Sequence, residues 1–383
     1  MYKRHCFYYR LLHPIVVLFL RIKFGYQFKR ADNLPDTYIV LSNHTTDYDP
    51  ILVAASFKRY MYFVASEHIT RWKLAYKFLN YCFAPIIRNK GTTATSTVME
   101  MLRAVKEGKN ICMFAEGDRS WDGVTAAISP ATGKVIKSAR CGLVTYRIEG
   151  GYFVSPRWSS SGKTRRGRLY GAPVNVYTPE QIKAMSVDEI NAVIARDLYE
   201  DAYARQMEAP CRYKGKQLAE SMENLLFICP QCGAMDSVYS QDDKVKCRQC
   251  TMEMRYTEYG MLEGVDFKTV RELSLWQQGE VEKAAAGLET YEAKSGTLST
   301  IEKSVETMVG QGAIYLSSTE LRCGDYVVPL ENIVEMAIHG KHGIVFSTQH
   351  GYFEMKPAEE VSALKFYLLY TAYKKQMQNK RVG

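Results

Sequence analysis

No acidic residue precedes Asp32, although the first thirty positions hold seven bases, Lys3, Arg4, Arg10, Arg21, Lys23, Lys29 and Arg30. Much of the chain's formal charge of +9 is therefore gathered at one end. Long apolar runs are missing too. The best stretch there, Leu11 to Leu20, is about half the ~20 residues a bilayer-spanning helix needs. It is too short to cross, and no small-residue cleavage site follows it, so a removable signal peptide is not expected. Gly-x-Ser-x-Gly, which would offer a nucleophilic serine, does not occur. Gly162-Lys163-Thr164 is not a phosphate-binding loop, because Arg157 stands where the leading glycine is required. Cys82, Cys112 and Cys141 lie among apolar neighbours, which suits buried structural thiols rather than reactive thiolates.

With 383 residues, 46% of them hydrophobic, the chain is folded and long enough for two or three domains. In its first half, strand-like runs at 61–65, 110–114 and 143–148 alternate with helical patterns. One helix is expected over about 94–107, with Val98, Met101, Leu102 and Val105 on one side and Gly108 as its stop. Such alternation implies an α/β sandwich. A closing helix is opened by the capping box Ser186-x-x-Glu189, carries Ile190 and Ile194, and ends before Pro210.

Tyr38-Ile39-Val40-Leu41 reads as a strand and leads into Ser42-Asn43-His44-Thr45-Thr46-Asp47-Tyr48-Asp49-Pro50. Asp49-Pro50 is first of all a helix start, with Asp as N-cap and Pro at the first helical position. Positions five apart on a helix point about 140° away from each other. His44 and Asp49 can therefore meet only if the histidine lies in the turn and the aspartate at the helix mouth. A second strand-like run, Asn110 to Phe114, continues into Ala115-Glu116-Gly117-Asp118-Arg119-Ser120. Glycine there lets backbone approach a ligand, and an arginine fork suits a phosphate.

Together these segments resemble the lysophosphatidic acid acyltransferase family of glycerolipid acyltransferases. That family carries Asn-His with Asp five residues after the histidine, then Phe-Pro-Glu-Gly-Thr-Arg-Ser. Between them, Ala84-Pro85-Ile86-Ile87-Arg88-Asn89-Lys90-Gly91 looks like the family block whose arginine helps hold the acceptor's phosphate. The resemblance covers roughly residues 30–180. Two departures stand out: Ala115 replaces Pro, and Asp118 replaces Thr, an extra carboxylate that repels phosphate unless paired or turned away. Leu143 to Arg147 occupies the place of the family's valine-proline strand.

The resemblance implies a glycerolipid acyltransferase-type αβ sandwich and transfer of a fatty acyl group from acyl-CoA or acyl carrier protein to a lysophospholipid, most simply lysophosphatidic acid to phosphatidic acid. His44 is then the general base, and Asp49 fixes its tautomer and stabilises the imidazolium. Arg88, Glu116, Gly117 and Arg119 hold the acceptor's polar head. The alternatives are a non-catalytic membrane-associated scaffold that binds lipid, or the same chemistry on another lysolipid.

Apolar side chains flanked by bases suit a segment, residues 1–30, lying in the interface of an anionic membrane. A buried helix with a solvated basic face is the simpler account. Family resemblance favours the former, placing the protein on the cytoplasmic face as a monotopic or peripheral enzyme in contact with membrane phospholipids. The acyltransferase domain is taken as residues 31–209.

Beyond it, Cys229-Pro230-Gln231-Cys232 and Cys247-Arg248-Gln249-Cys250 form two knuckles with fourteen residues between them, spacing suited to structural zinc held by four thiolates. This zinc ribbon is taken as residues 225–260, and over 225–256 it balances Lys244, Lys246, Arg248 and Arg255 against Asp236, Asp242, Asp243 and Glu253. Nucleic-acid binding is therefore not expected of it. Free cysteines elsewhere point to a reducing compartment. A helical connector is expected over 261–310. Residues 311–383 then show short strands and a final helix with Val361, Leu364 and Leu368 as its stripe, like a small β-rich pleckstrin-homology (PH) domain. No residue identifies a protein partner for this region.

Overall fold

The computed structural model describes residues 1–71, 73–88, 95–159, 163–302, 305–358 and 361–382. Asn89, Lys90, Gly91 and Gly162 lie outside them.

The first part is built on a seven-stranded mixed sheet. In chain order its elements are α1 (Tyr2–Phe24), β1 (Gln27–Phe28), β2 (Tyr38–Ser42), α2 (Asp49–Ala55), β3 (Met61–Ser66), α3 (Lys73–Phe83), β4 (Ile86–Arg88), α4 (Thr95–Lys106), β5 (Asn110–Phe114), α5 (Ala131–Ala139) and β6 (Gly142–Glu149). They are followed by α6 (Gly151–Val154), β7 (Tyr170–Tyr177), α7 (Pro179–Ala184), α8 (Val187–Leu198) and α9 (Ala202–Glu208). The strand order is β1-β7-β6-β2-β5-β3-β4, with β6, β2, β5, β3 and β4 all parallel.

Central β2 is buried along its whole length. Its side chains alternate between faces. Tyr38 and Val40 join the cluster that runs on into the later domains, while Ile39 and Leu41 pack with Met101, Val105, Ile136, Ile190 and Ile194 of α4, α5 and α8. Burying each of Ile39, Val40 and Leu41 stabilises the sheet by roughly 1.5–3 kcal/mol. The capping box at Ser186 is present, with Glu189 N–H donating to Ser186 Oγ and Ser186 N–H donating to the Glu189 carboxylate.

The ribbon is a four-stranded antiparallel sheet of β8 (Val238–Gln241), β9 (Lys244–Cys247), β10 (Glu253–Tyr256) and β11 (Leu262–Glu263). The expected helical connector over 261–310 needs correction. Val270–Ala286 is a helix, α10, but Tyr291–Glu302 and Val305–Leu316 are long strands, β12 and β13. Residues around Lys294-Ser295-Gly296 look polar and loop-like in sequence. Pairing with β13 on one side, and of residues 296–300 with residues 353–357 on the other, makes this stretch the middle of a sheet. Tertiary pairing overrides weak local preference here.

The remaining strands are β14 (Glu320–Cys323), β15 (Tyr326–Pro329), β16 (Glu335–His339), β17 (Gly343–Thr348) and β18 (Gly351–Pro357), before α11 (Ala363–Val382). Their antiparallel order is β15-β14-β13-β12-β18-β17-β16. This β-rich C-terminal domain therefore begins near Tyr291, about twenty residues before the expected boundary at 311.

One continuous apolar cluster holds the three parts together. It runs from Val144 and Trp158 through Leu226 and Met254 to Ile314 and Phe366. Polar ties cross the same seams. Gln277, fully buried on α10, accepts from Phe227 and Ile228 N–H and donates to Leu225 O. Buried Lys365 of α11 pairs with Asp236 in the ribbon.

Candidate active site and metal centre

Parallel pairing of β2, β5, β3 and β4 sends their carboxyl ends to one edge of the sheet, where open α/β sheets place ligands. Three segments far apart in sequence meet there: the turn after β2, the loop after β5, and Arg88 at the end of β4.

Tyr48 is the residue before α2, and Asp49 is its first residue with Pro50 next, one position further in than the sequence suggests. Asp49 is wholly buried, and its carboxylate gathers the turn around itself. Oδ2 accepts from Thr45 N–H (2.6 Å) and Thr46 N–H (3.0 Å), and Oδ1 accepts from Thr46 Oγ1 (2.7 Å). His44 Nδ1 lies 2.8 Å from the same Oδ2. A carboxylate accepts, so Nδ1 carries the hydrogen and Nε2 keeps its lone pair. The imidazole is partly exposed and stacks on Phe114, with ring centroids 4.4 Å apart.

Asn43, ahead of the histidine, is a clamp. Its amide donates to Ile148 O (2.9 Å) and accepts from Ile148 N–H (2.8 Å), pinning the turn to β6. Gly151 packs on the same turn, where an added Cβ would sit 2.2 Å from Thr45 Oγ1.

Glu116 bridges the two loops by accepting from His44 N–H and from Ala126 N–H, both at 2.6 Å. Burial pushes its carboxyl up to about 8, against the opposing pull of those two donors. Gly117 has φ 74, in the left-handed region, and a Cβ there would meet Arg88 Nη1 at 3.1 Å. The close approach of Arg88 to this backbone therefore needs glycine. Arg88 Nε is buried and has no hydrogen-bond partner among the described residues.

Asp118, the carboxylate that departs from the family pattern, is paired. Arg157 Nη1 lies 2.5 Å from Asp118 Oδ1 and donates to Arg119 O at 2.9 Å, while its guanidinium stacks on Trp121. This leaves Arg119 Nη1 3.3 Å from the exposed Asp47. Nothing in the sequence around Arg157 signals this role, because its partners lie nearly forty residues upstream. A cleft of about 970 Å³ opens at the opposite edge of the sheet, between Asp36, Val105 and Thr178, and holds none of these residues.

Residues 26–149 match the acyltransferase family. The matched span contains His44, Asp49, Arg88, Glu116, Gly117 and Arg119. Among solved structures, the 1-acyl-sn-glycerophosphate (LPA) acyltransferase PlsC from Thermotoga maritima is similar at 17% sequence identity. That likeness covers 52% of this chain and 81% of PlsC, with a TM-score of 0.43. The N-terminal PH domain of human ARAP2 is similar at 16% identity over 22% of this chain and 81% of that domain, with a TM-score of 0.17. No curated protein matches the chain.

In the ribbon, the sulfurs of Cys229, Cys232, Cys247 and Cys250 all lie within 4.8 Å of one another. Cys229 and Cys250 are 3.6 Å apart, and Cys232 and Cys247 3.8 Å. A tetrahedron with Zn–S bonds of ~2.3 Å has edges of about 3.8 Å, so the donor set fits zinc in both type and size. Gly233, at φ 71, closes the first knuckle with its N–H on Cys229 O, and Gln249 N–H points at Cys247 Sγ (3.3 Å).

Proposed function

We propose that this protein moves a fatty acyl group from an acyl thioester, acyl-CoA or acyl carrier protein, to the hydroxyl of a lysophospholipid, most simply converting lysophosphatidic acid to phosphatidic acid. The observation that carries this reading is the His44–Asp49 pair at the carboxyl edge of an acyltransferase-family sheet. His44 Nε2 accepts the hydroxyl proton as the oxygen attacks the thioester carbonyl. The tetrahedral adduct collapses, the C–S bond breaks, and the departing sulfur takes that proton. No covalent enzyme intermediate is needed. Asp49 holds the ring and offsets the imidazolium's charge.

Arg88, whose guanidinium lies beside Gly117, and Arg119 supply cations for the acceptor's phosphate. Pairing of Asp118 with Arg157 removes the repulsion that its position would otherwise impose. A Glu116 carboxyl raised to about 8 carries little charge near neutral pH, which also suits an anionic neighbour. In the ribbon the four cysteines would hold a structural zinc, whose role is to stabilise the fold.

Access to lipid is supported by an exposed apolar surface. Phe7, Leu11, Ile15, Leu18 and Ile22 of α1, together with Leu74, Phe78 and Tyr81 of α3, are each more than half exposed. The two helices pack side by side through Tyr8 and Tyr81. Exposed Lys3, Arg10, Arg21, Lys23, Lys73 and Lys77 lie on the same helices. Among the described residues no helix is long and apolar enough to cross a membrane. Apolar stripes with basic flanks suit peripheral or monotopic binding to the cytoplasmic face of an anionic bilayer. The contribution of α3 was not legible without the fold.

Purified protein incubated with a panel of lysolipids and acyl thioesters, beside His44→Ala, tests this reading. Acyl transfer by the native protein and not by the variant is expected. Equal activity in both would remove the mechanism, and inactivity of the native protein on every pair would favour a lipid-binding scaffold.

A further inference from the structure

The hairpin of β16 and β17 reaches from the C-terminal domain to the loops of the acyltransferase edge. At its tip Gly340 turns the chain, with φ 67, and Lys341 projects so that Nζ donates to Ser159 O. Ser159 follows Arg157 by two residues, and Arg157 is the side chain that holds Asp118 and the Arg119 carbonyl. The charged groups facing the Lys341 ammonium are Arg119, Asp47, Glu220 and Glu223. Glu220 is itself engaged by Lys163, and Asp47 by Arg119.

Lys341 is held from several directions. Its carbonyl accepts from Ala363 N–H at the start of α11 (3.3 Å). The neighbouring Ser362 Oγ donates to Asn224 O (2.6 Å), and Asn224 in turn donates to Trp158 O (3.1 Å), one residue before Ser159. On the next hairpin Tyr352 OH donates to Glu67 (3.1 Å), just past β3 and beside the strand that bears Arg88. Two tethers thus flank the edge, and the lysine is placed by the fold rather than by a flexible stem.

A half-buried ammonium beside a guanidinium is unfavourable unless anions offset it, and Asp47, which pairs with Arg119 and faces Lys341, is largely exposed to water. Burial and the Arg119 charge together lower Lys341 to about 8. Two cations from separate loops, one resting on a carbonyl and the other on an exposed carboxylate, suit a doubly charged oxyanion.

We propose that Lys341 is a phosphate-binding residue of the acyl-acceptor site, supplied by the C-terminal domain, which together with Arg119 selects an acceptor bearing a phosphate monoester. This rests on the reading of the His44 edge as the acceptor site. It makes acceptor choice depend on a residue nearly two hundred positions outside the span matched by the family. The appended domain then completes the site instead of serving as a separate lipid-binding module.

The test compares the full-length protein with Lys341→Gln, Lys341→Met and Lys341→Arg. Acceptor KM for lysophosphatidic acid should rise by about tenfold or more in the two neutral variants, the effect of losing one charge-assisted hydrogen bond, with a smaller effect on kcat and none on donor KM. The arginine variant should restore most of the affinity. KM for a zwitterionic lysophosphatidylethanolamine should change far less. A purely structural lysine would instead lower the melting temperature and leave the ratio between acceptors unmoved, and that result overturns the proposal.

Stabilisation of the native protein by sn-glycerol 3-phosphate in a melting experiment, weakened in Lys341→Met, provides a readout free of turnover. Native protein left unmoved by that probe also overturns the inference. If the probe stabilises through Lys341 while His44→Ala keeps full activity, the catalytic reading fails and the binding site stands.

Discussion

Around His44 the meeting groups come from residues 44–49, 88 and 116–119, gathered by three parallel strand ends. Around the ribbon four sulfurs come from two tight knuckles joined by a β-hairpin. The first arrangement depends on a large sheet already being formed, so its geometry is inherited from long-range pairing. The second lies within about twenty residues, and its donors converge by local turns. The placement of His44 and Asp49 is thus stabilised by the fold, whereas the ribbon is a place where a bound ion would itself stabilise the fold. Those roles predict opposite responses to disruption.

Metal removal should give the largest effect. A chelator, or Cys247→Ser, should release a zinc ion detectable by metal analysis and lower the melting temperature by more than ~5 °C, since structural zinc contributes ~10–16 kcal/mol to small finger folds. Because Lys365 and Gln277 tie the ribbon to its neighbours, acceptor KM should rise as well. An unchanged melting curve after complete metal loss would break the contrast between the two centres.

His44→Ala should cut kcat by ~10²–10⁴-fold while leaving the melting temperature nearly constant, because the ring is partly exposed and contributes mainly to chemistry. Asp49→Ala sits between the two cases. It removes the acceptor of two backbone N–H groups and a hydroxyl in a buried turn, so a loss of about 3 kcal/mol in urea unfolding should accompany loss of turnover. Inactivation by Asp49→Ala without destabilisation would show that the carboxylate serves only the imidazole.

A weaker signature concerns pH. Phosphate binding favours the charged ammonium of Lys341, which the free protein holds below about 8. Acceptor affinity should therefore be full below that pH and decline above it, by at most about tenfold per pH unit. In Lys341→Arg the decline should be absent. The smallest effect is expected from Ile15→Ser on the exposed stripe of α1, a several-fold weakening of co-sedimentation with anionic vesicles and no change in melting. Equal binding by the variant would exclude that face.

The segments legible from sequence were those with strong local signals. Apolar runs marked β2, β3, β5 and β6, the capping box marked α8, and the cysteine knuckles marked the ribbon. Illegible were the elements whose stability comes from distant partners. β12 looks polar, with glycine and lysine in its centre, and is a strand because β13 and β18 complete its hydrogen bonds. The repelling carboxylate at Asp118 could be recognised as a problem, while its solution at Arg157 could not.

Residue order alone specified the chemistry on offer: an imidazole and a carboxylate five positions apart, a glycine beside a glutamate, arginines, and two pairs of thiols. Those patterns are legible because reactivity belongs to side-chain type, and short spacings are set by local backbone geometry. Which groups actually meet was settled by packing. Parallel strand pairing brought Arg88 to Gly117, Arg157 neutralised Asp118, and a hairpin nearly two hundred residues downstream delivered Lys341 to Ser159. Contacts at such separations are held by burial and by hydrogen bonds between whole elements, and no local sequence pattern encodes them.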